Sequence, residues 1–260
     1  MNKLCTYALI SLFLAFGSNP DAVCAPAAKT AGDAKVQRSL ELNEQGVAAL
    51  KTKNGQLAES LFRQSVDADR YNLTAVFNLA GMLITNKKEQ EAISLLTSYT
   101  ERNSQDAGLY ARLGDAYFST QNPKKAITAY EKALSIEPKY RGISARLGTL
   151  YVLENKPEKA ATMFEKAVAL NPRDAQSLAN LGSIYLALEK PKDAASMSKK
   201  ALAIEQKPET YVTLGAAYQK LKDQPQALTA FKQALKLGSK DPELPKIIQE
   251  LEGEAPTQSS

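Results

Sequence analysis

Small residues recur at a fixed interval through most of this 260-residue chain. Glycines are separated by 34, 34 and 33 residues at Gly114, Gly148, Gly182 and Gly215. Alanines keep the same spacing at Ala58, Ala92, Ala126, Ala160, Ala194 and Ala227. A period in this range is typical of repeat arrays, in which each unit stacks on its neighbours. The sequence therefore predicts an elongated array with an extended surface, and not a compact domain around an enclosed pocket.

The period divides the chain into six units: 39–72, 73–106, 107–140, 141–174, 175–207 and 208–241. We number the places within each unit from 1. Places 4, 7, 8 and 11 have the i, i+3, i+4, i+7 spacing of one helical face, and in the third unit they are Tyr110, Leu113, Gly114 and Tyr117. A second helix carries Ala126, Tyr130 and Ala133 in that unit, and a proline such as Pro123 suits its first turn. Each unit is therefore predicted to be helix, turn, helix, which makes the chain all-α.

These patterns resemble the tetratricopeptide repeat family, whose signature is W-x2-L-G-x2-Y, then A-x3-F, then P. The third unit reads Y-A-R-L-G-D-A-Y, then A-I-T-A-Y, then Pro138. The fourth unit reads S-A-R-L-G-T-L-Y, then A-A-T-M-F, then Pro172. The resemblance covers residues 39–241 and implies a right-handed α-solenoid of about six units.

The ends of the array have their own signals. Residues 28–38 are rich in alanine and lysine without an apolar period, so we interpret them as a linker that can become helical near its end. Asp241 and Pro242 can start a helix over 242–253 whose apolar face would cap the solenoid. Residues 254–260 are expected to form a disordered tail.

Two positions carry expectations about stability. Gly148 is predicted to lie at a close crossing of the two helices of its unit, where a larger side chain would overpack the interior. Ser198 occupies the place of an aromatic residue, and the fifth unit is one residue short. We therefore expect a weak joint in that unit.

The first 27 residues have the features of a bacterial export signal. Lys3 is followed by the apolar stretch 4–16, and Ala25-Pro26-Ala27 supplies a small-residue cleavage pattern, so we place cleavage after Ala27. The expected location is periplasmic or secreted. An uncleaved anchor is the alternative, but the apolar stretch falls short of the roughly 20 residues of a membrane span. A lipoprotein anchor at Cys24 is disfavoured by Asp21, and no transmembrane span is predicted.

Composition argues against catalysis. The chain has no histidine, so imidazole bases and histidine metal ligands are excluded. Both cysteines, Cys5 and Cys24, fall in the segment predicted to be removed. The net charge of +5 is spread along the chain and does not indicate nucleic-acid binding. We predict no enzyme activity, no cofactor and no metal site.

The family resemblance implies that the first helix of each unit lines a concave groove at places 2, 5, 6, 9, 12 and 13. The candidate site residues on these places are Phe77, Asn78, Arg112, Asp115, Phe118, Arg146, Thr149, Asn180 and Ser183. Arginine and asparagine side chains can bind carboxylates or the backbone of an extended peptide. Asp115 is the expected partner of Arg112, whereas Arg146 is expected to stay unpaired because Thr149 stands at the equivalent place.

The sequence therefore predicts a non-catalytic scaffold that binds a segment of a protein or peptide in its groove. An acidic segment is one candidate for this partner. The alternative is a structural subunit that assembles with itself or into a larger cell-envelope complex. The sequence leaves the oligomeric state open.

Overall fold

The computed structural model describes residues 31–253, which form thirteen α-helices and no strand. The helices are α1 (Ala31–Lys51), α2 (Gly55–Ala68), α3 (Leu73–Thr85), α4 (Glu89–Arg102), α5 (Ala107–Ser119), α6 (Pro123–Ile136), α7 (Ile143–Leu153), α8 (Pro157–Leu170), α9 (Ala175–Ala187), α10 (Pro191–Leu202), α11 (Pro208–Lys220), α12 (Gln224–Lys236) and α13 (Leu244–Gly253). Consecutive helices pair as helix-turn-helix units, and each pair packs on the next. The all-α solenoid predicted from the spacing is confirmed. We call the first helix of each pair the A helix and the second the B helix.

The turn within each unit has the same backbone conformation six times. Place 15 has a positive φ of 55–60° at Lys53, Lys87, Gln121, Asn155, Glu189 and Lys222. The N–H of the next residue then bonds to the carbonyl at place 11, as in Lys156 to Tyr151 over 2.8 Å. This geometry satisfies carbonyls that the end of a helix leaves free. The A helix therefore ends at the same place in every unit, which fixes where the B helix starts.

In four of the six units, the glycine at place 8 makes room for an aromatic ring from the B helix of its own unit. A Cβ atom on Gly148 would lie 2.7 Å from the ring of Phe164, and one on Gly114 would lie 2.5 Å from Tyr130. Gly46 and Gly215 have the same relation to Phe62 and Phe231. Gly148 thus lies at a tight contact as predicted, but the close neighbour is an aromatic side chain and not the backbone of the second helix.

The fifth unit departs from this arrangement. Ser198 stands where the aromatic ring would be, and it is fully buried. A Cβ on Gly182 would meet Ser198 Oγ at 2.8 Å and the carbonyl oxygen of Ala194 at 3.3 Å. Here backbone atoms of the B helix are among the nearest neighbours of the glycine.

Both ends differ in detail from the sequence expectation. Helix α1 begins at Ala31, near the start of the segment interpreted as a linker and not only near its end, because alanine, lysine and glutamine favour helix even where the segment has no apolar period. Helix α13 begins at Leu244, two residues after the predicted start, while the Asp241 carboxylate accepts the N–H of Glu243. Its buried residues Leu244, Ile248 and Leu251 pack with the core of the sixth unit, as a cap should.

The predicted signal segment 1–27, the first residues of the linker and the tail 254–260 lie outside the described residues. Between residues 31 and 253, none of the helices combines the length and the apolar character that crossing a membrane requires.

Candidate partner-binding groove

The candidate residues lie on the A helices, and side chains from successive A helices contact one another. Asn78 on α3 donates a hydrogen bond to Asn43 Oδ1 on α1 over 2.9 Å. Arg112 on α5 lies over the ring of Phe77 on α3, with 4.0 Å between Cζ and the ring centroid. Groove-facing side chains of neighbouring A helices are therefore in contact across the first three units. We call the surface formed by places 2, 5, 6, 9, 12 and 13 of the six A helices the A-helix face.

Arg112 is held flat between two neighbours. The ring of Phe77 covers one side, and a Cβ on Gly81 would lie only 3.2 Å from Arg112 Cζ. The absence of a side chain at Gly81 is therefore what lets the guanidinium lie against α3. The Nε atom of Arg112 is buried and has no hydrogen-bond partner.

Asp115 is shared by two arginines. Its carboxylate lies 3.3 Å from Nη1 of Arg112 and 3.4 Å from Nη1 of Arg146. The expectation that Arg146 stays unpaired is wrong, because its long side chain reaches from α7 to Asp115 on the A helix of the preceding unit. Two guanidinium groups share one carboxylate, so the cluster keeps an excess positive charge. Arg146 remains 51% exposed and Asp115 only 17%, so the excess charge faces solvent through Arg146.

A hydroxyl from the core fixes the carboxylate. Tyr130 donates a hydrogen bond to Asp115 Oδ1 over 2.7 Å. Burial, and then the charge of Asp115, raise the pKa of Tyr130, so the hydroxyl stays protonated and remains a donor. The repeat pattern places Tyr130 on the second helix of its unit and does not predict its bond to Asp115. A buried tyrosine hydroxyl usually has a hydrogen-bond partner, and this rule is the signal that could have indicated a bond from Tyr130 to a nearby polar side chain.

An open cleft of about 440 Å³ lies beside this cluster. Its lining comes from the first three units and consists of Leu50, Lys53, Gly55, Asn78, Gly81, Met82, Thr85, Asn86 and Arg112. The charged residues of that lining, Lys53 and Arg112, are both positive. The sequence did not predict Lys53 as a site residue, because it lies in the turn after α1 and not on a helix. Gly81 of the lining and Asn43, the partner of Asn78, do stand on groove-facing places, which are places 9 and 5.

The remaining candidates do not join the arginine cluster through a hydrogen bond or ion pair. Asn180 accepts a hydrogen bond from Gln176 on its own helix, and Thr149 bonds to the carbonyl of Ala145. Ser183 lies 3.2 Å from the Thr213 hydroxyl on α11, which extends the contacts between A helices into the last unit.

Phe118 is 48% exposed at place 12 of α5. The two arginines of the A-helix face lie in the third and fourth units, whereas place 6 of the first unit is the exposed Glu44. Within residues 31–253, no group of three or more cysteines, aspartates or glutamates is arranged to hold a metal ion.

Comparison with known families agrees with the fold. Models of the tetratricopeptide repeat match residues 107–140, 146–208 and 208–240. These segments cover the third to the sixth units. The chain therefore contains tetratricopeptide repeats, as the spacing predicted. No curated protein sequence is significantly similar to the chain.

Solved structures with the same architecture are distant in sequence. PilF of Pseudomonas aeruginosa superposes with a TM-score of 0.70 at 16% identity, over 84% of this chain and 99% of that one. YrrB, a tetratricopeptide repeat protein with an unusual peptide-binding site, gives a TM-score of 0.65 at 20% identity, over 73% and 97% of the two chains. MamA of Desulfovibrio magneticus RS-1 gives 0.57 at 21% identity, over 64% and 95%. At these identities the similarity establishes the fold alone.

Proposed function

We propose that this protein is a non-catalytic scaffold that holds a segment of a partner protein against its A-helix face. Tetratricopeptide repeats generally mediate protein–protein interaction, and the similar protein YrrB has a peptide-binding site. The observation that carries the proposal is the cluster of Arg112, Asp115 and Arg146 beside an open cleft. A polar cluster that is preorganised by a stacked ring and a core hydroxyl presents its donors without a large ordering cost on binding.

The chemistry of the cluster favours an acidic partner segment. One carboxylate neutralises only one of the two guanidinium groups, and Lys53 adds a positive charge at the cleft. Guanidinium groups bind carboxylates through paired hydrogen bonds. Asn78 supplies an amide of the kind that bonds the backbone of an extended peptide.

A capture experiment tests this proposal. The full chain and its Arg112→Ala/Arg146→Ala double variant are used as baits in an envelope extract, and bound proteins are compared by mass spectrometry. We expect a partner that the parent retains and the double variant loses. Equal capture by both baits would contradict binding at this face.

We further propose that the protein is exported, on the basis of Lys3, the apolar stretch 4–16 and the Ala25-Pro26-Ala27 pattern. N-terminal sequencing of protein from the envelope fraction should then find a start near Ala28. Full-length protein recovered from the cytoplasm would contradict export.

One observation favours the alternative, a subunit that assembles with copies of itself. Helix α1 exposes Val36, Leu40, Val47 and Leu50 by 36–47% each, and their spacing places them on one helical face. Leu40, Val47 and Leu50 stand at the groove-facing places 2, 9 and 12, so a second copy would cover the part of the A-helix face that belongs to the first unit. Light scattering separates the two functions. A monomer supports the scaffold, whereas a dimer that Leu40→Glu dissociates supports assembly through α1.

A further inference from the structure

At two junctions between units, a tyrosine at place 11 donates a hydrogen bond to a glutamate at place 25 of the preceding unit. Tyr151 on α7 donates its hydroxyl hydrogen to Glu131 on α6. Tyr185 on α9 donates to Glu165 on α8 over 2.7 Å. Both hydroxyls thus have an anionic acceptor within the chain, at the third-to-fourth and fourth-to-fifth junctions.

The junction between the fifth and sixth units has the tyrosine but not the glutamate. Tyr218 on α11 is only 7% exposed, and its buried hydroxyl has no hydrogen-bond partner. Place 25 of the fifth unit is Lys199, whose ammonium lies 5.2 Å from the centroid of the Tyr218 ring. Buried polar groups nearly always have a partner, so this hydroxyl calls for an explanation.

An open cleft of about 410 Å³ lies at this place between α10 and α12, with α11 as its floor. Its polar lining is Lys199, Tyr211, Tyr218, Gln226, Thr229 and Gln233. Place 23 here is the buried Ala230, whereas Met163 and Met197 stand at the equivalent place of the two preceding units. Ala230 is smaller than methionine, and Lys199 stands in place of the glutamate. This junction therefore has less side-chain volume and less negative charge than the two junctions before it.

We propose that this cleft, which we call the α10–α12 cleft, binds an acidic segment of a protein partner. A carboxylate of the partner occupies the position that Glu131 and Glu165 occupy at the earlier junctions. It accepts the hydrogen bond of Tyr218 and pairs with Lys199, which swings off the ring. An apolar side chain of the segment packs over Ala230, where methionine packs in the preceding units.

Charge complementarity identifies the occupant. Lys199 is the charged residue of the lining, and it is followed by the exposed Lys200. A carboxylate would receive charge-assisted hydrogen bonds from the Tyr218 hydroxyl, which is already in place, and from Lys199 once its ammonium leaves the ring. This surface lies between B helices, so the inference does not depend on binding at the A-helix face.

The test is a calorimetric titration of the full chain with a capped hexapeptide of alternating glutamate and methionine. We expect binding, and no binding of the matched glutamine–methionine peptide. The substitution Lys199→Glu supplies the carboxylate from within the chain. It should lower the affinity for the peptide by about tenfold or more. It should also raise the melting temperature, because the Tyr218 hydroxyl gains an acceptor.

Lys200→Glu is the matched control, since it makes the same change of charge one residue away. It should lower the affinity for the peptide by less than about twofold and leave the melting temperature unchanged. Tyr218→Phe removes only the hydroxyl, and should weaken the peptide without lowering the melting temperature. Equal effects of the two lysine substitutions would overturn the proposal, as would failure of the parent to bind the peptide. Loss of binding in the Arg112→Ala/Arg146→Ala variant, with Lys199→Glu unaffected, would place the peptide on the A-helix face and also overturn it.

Discussion

The hydroxyl of Tyr130 donates a hydrogen bond to Asp115 over 2.7 Å, and this bond connects the core of the third unit to the A-helix face. The ring of Tyr130 fills the space that Gly114 leaves open, so its position is set by the repeat itself. Asp115 in turn holds Arg112 and Arg146. The packing that forms the solenoid thus also positions the charged groups of the candidate site.

Asp115→Asn should strengthen the binding of an acidic partner while weakening the fold. The substitution removes the negative charge that competes for both arginines, which we expect to raise affinity by about 0.5–1 kcal/mol. It also removes a charged hydrogen-bond acceptor, which should lower the free energy of unfolding by about 1–3 kcal/mol. Titration calorimetry and urea unfolding measure the two effects.

Tyr130→Phe is the matched control for that substitution. It removes the hydrogen bond to Asp115 but keeps the Asp115 charge, so the fold should weaken while affinity does not rise. If both variants lost affinity in parallel with stability, the charge of Asp115 would have no separate role in binding.

Gly148→Leu should destabilise the fold by about 1–3 kcal/mol or more, because even a Cβ at this position would lie 2.7 Å from the Phe164 ring. Denaturant unfolding measures the effect. Gly55→Ala is the control, since its Cβ would meet only Met82 Cε at an ordinary 3.5 Å. Equal midpoints for Gly148→Leu and the parent would show that the place assigned to Gly148 is wrong.

Residues 194–206 should exchange their amide hydrogens faster than the equivalent residues 160–172. Ser198 replaces an aromatic side chain and its buried hydroxyl has no partner, so opening α10 exposes less apolar surface than opening α8. Hydrogen exchange followed by mass spectrometry compares the two helices within one sample. Slower exchange in 194–206 would show that the fifth unit is no weaker than the fourth despite the missing ring.

Stability of the first two units should fall in acid as Glu59 titrates. Hydrogen bonds from Lys88, and then from Arg63 and Asn86, hold the pKa of Glu59 at about 2, below its ordinary 4.5. A carboxyl whose pKa is lower in the folded state stabilises the fold above its ordinary pKa. That contribution is lost as the pH falls from about 4.5 to about 2.

Glu59→Gln isolates this contribution from the other carboxyl groups. The difference in melting temperature between parent and variant should be constant above pH 5 or so and should shrink towards pH 2. A difference that does not change with pH would show that the charge of Glu59 contributes nothing to the fold.

The repeat period was sufficient to predict the helix pairs, because each unit uses the same small residues against the same bulky ones. Gly148 and Phe164 are sixteen residues apart in one unit, so their contact follows from the places alone. The α1 start at Ala31 did not follow, because that segment has no apolar period and its helix is favoured by its residues' propensity.

The candidate site was predictable only in part. Places 5, 6 and 9 selected Phe77, Arg112 and Asp115, and the helical spacing suggested the pair of Arg112 with Asp115. The contact between Arg146 and Asp115 depends on how closely two A helices of adjacent units approach each other. That distance is set by all the side chains between the helices and cannot be obtained from spacing within one unit.

The most direct test of the central claim is titration calorimetry of the captured partner against arginine variants. Arg146→Ala should weaken binding by about 1–3 kcal/mol, as for a charged hydrogen bond, and leave folding intact because the side chain is half exposed. Arg112→Ala should weaken it less, because Phe77 and Asp115 already engage that guanidinium. Arg173→Ala, which removes an exposed arginine from the turn before α9, should change nothing. Unchanged affinity in the Arg112→Ala/Arg146→Ala double variant would contradict partner binding at the A-helix face.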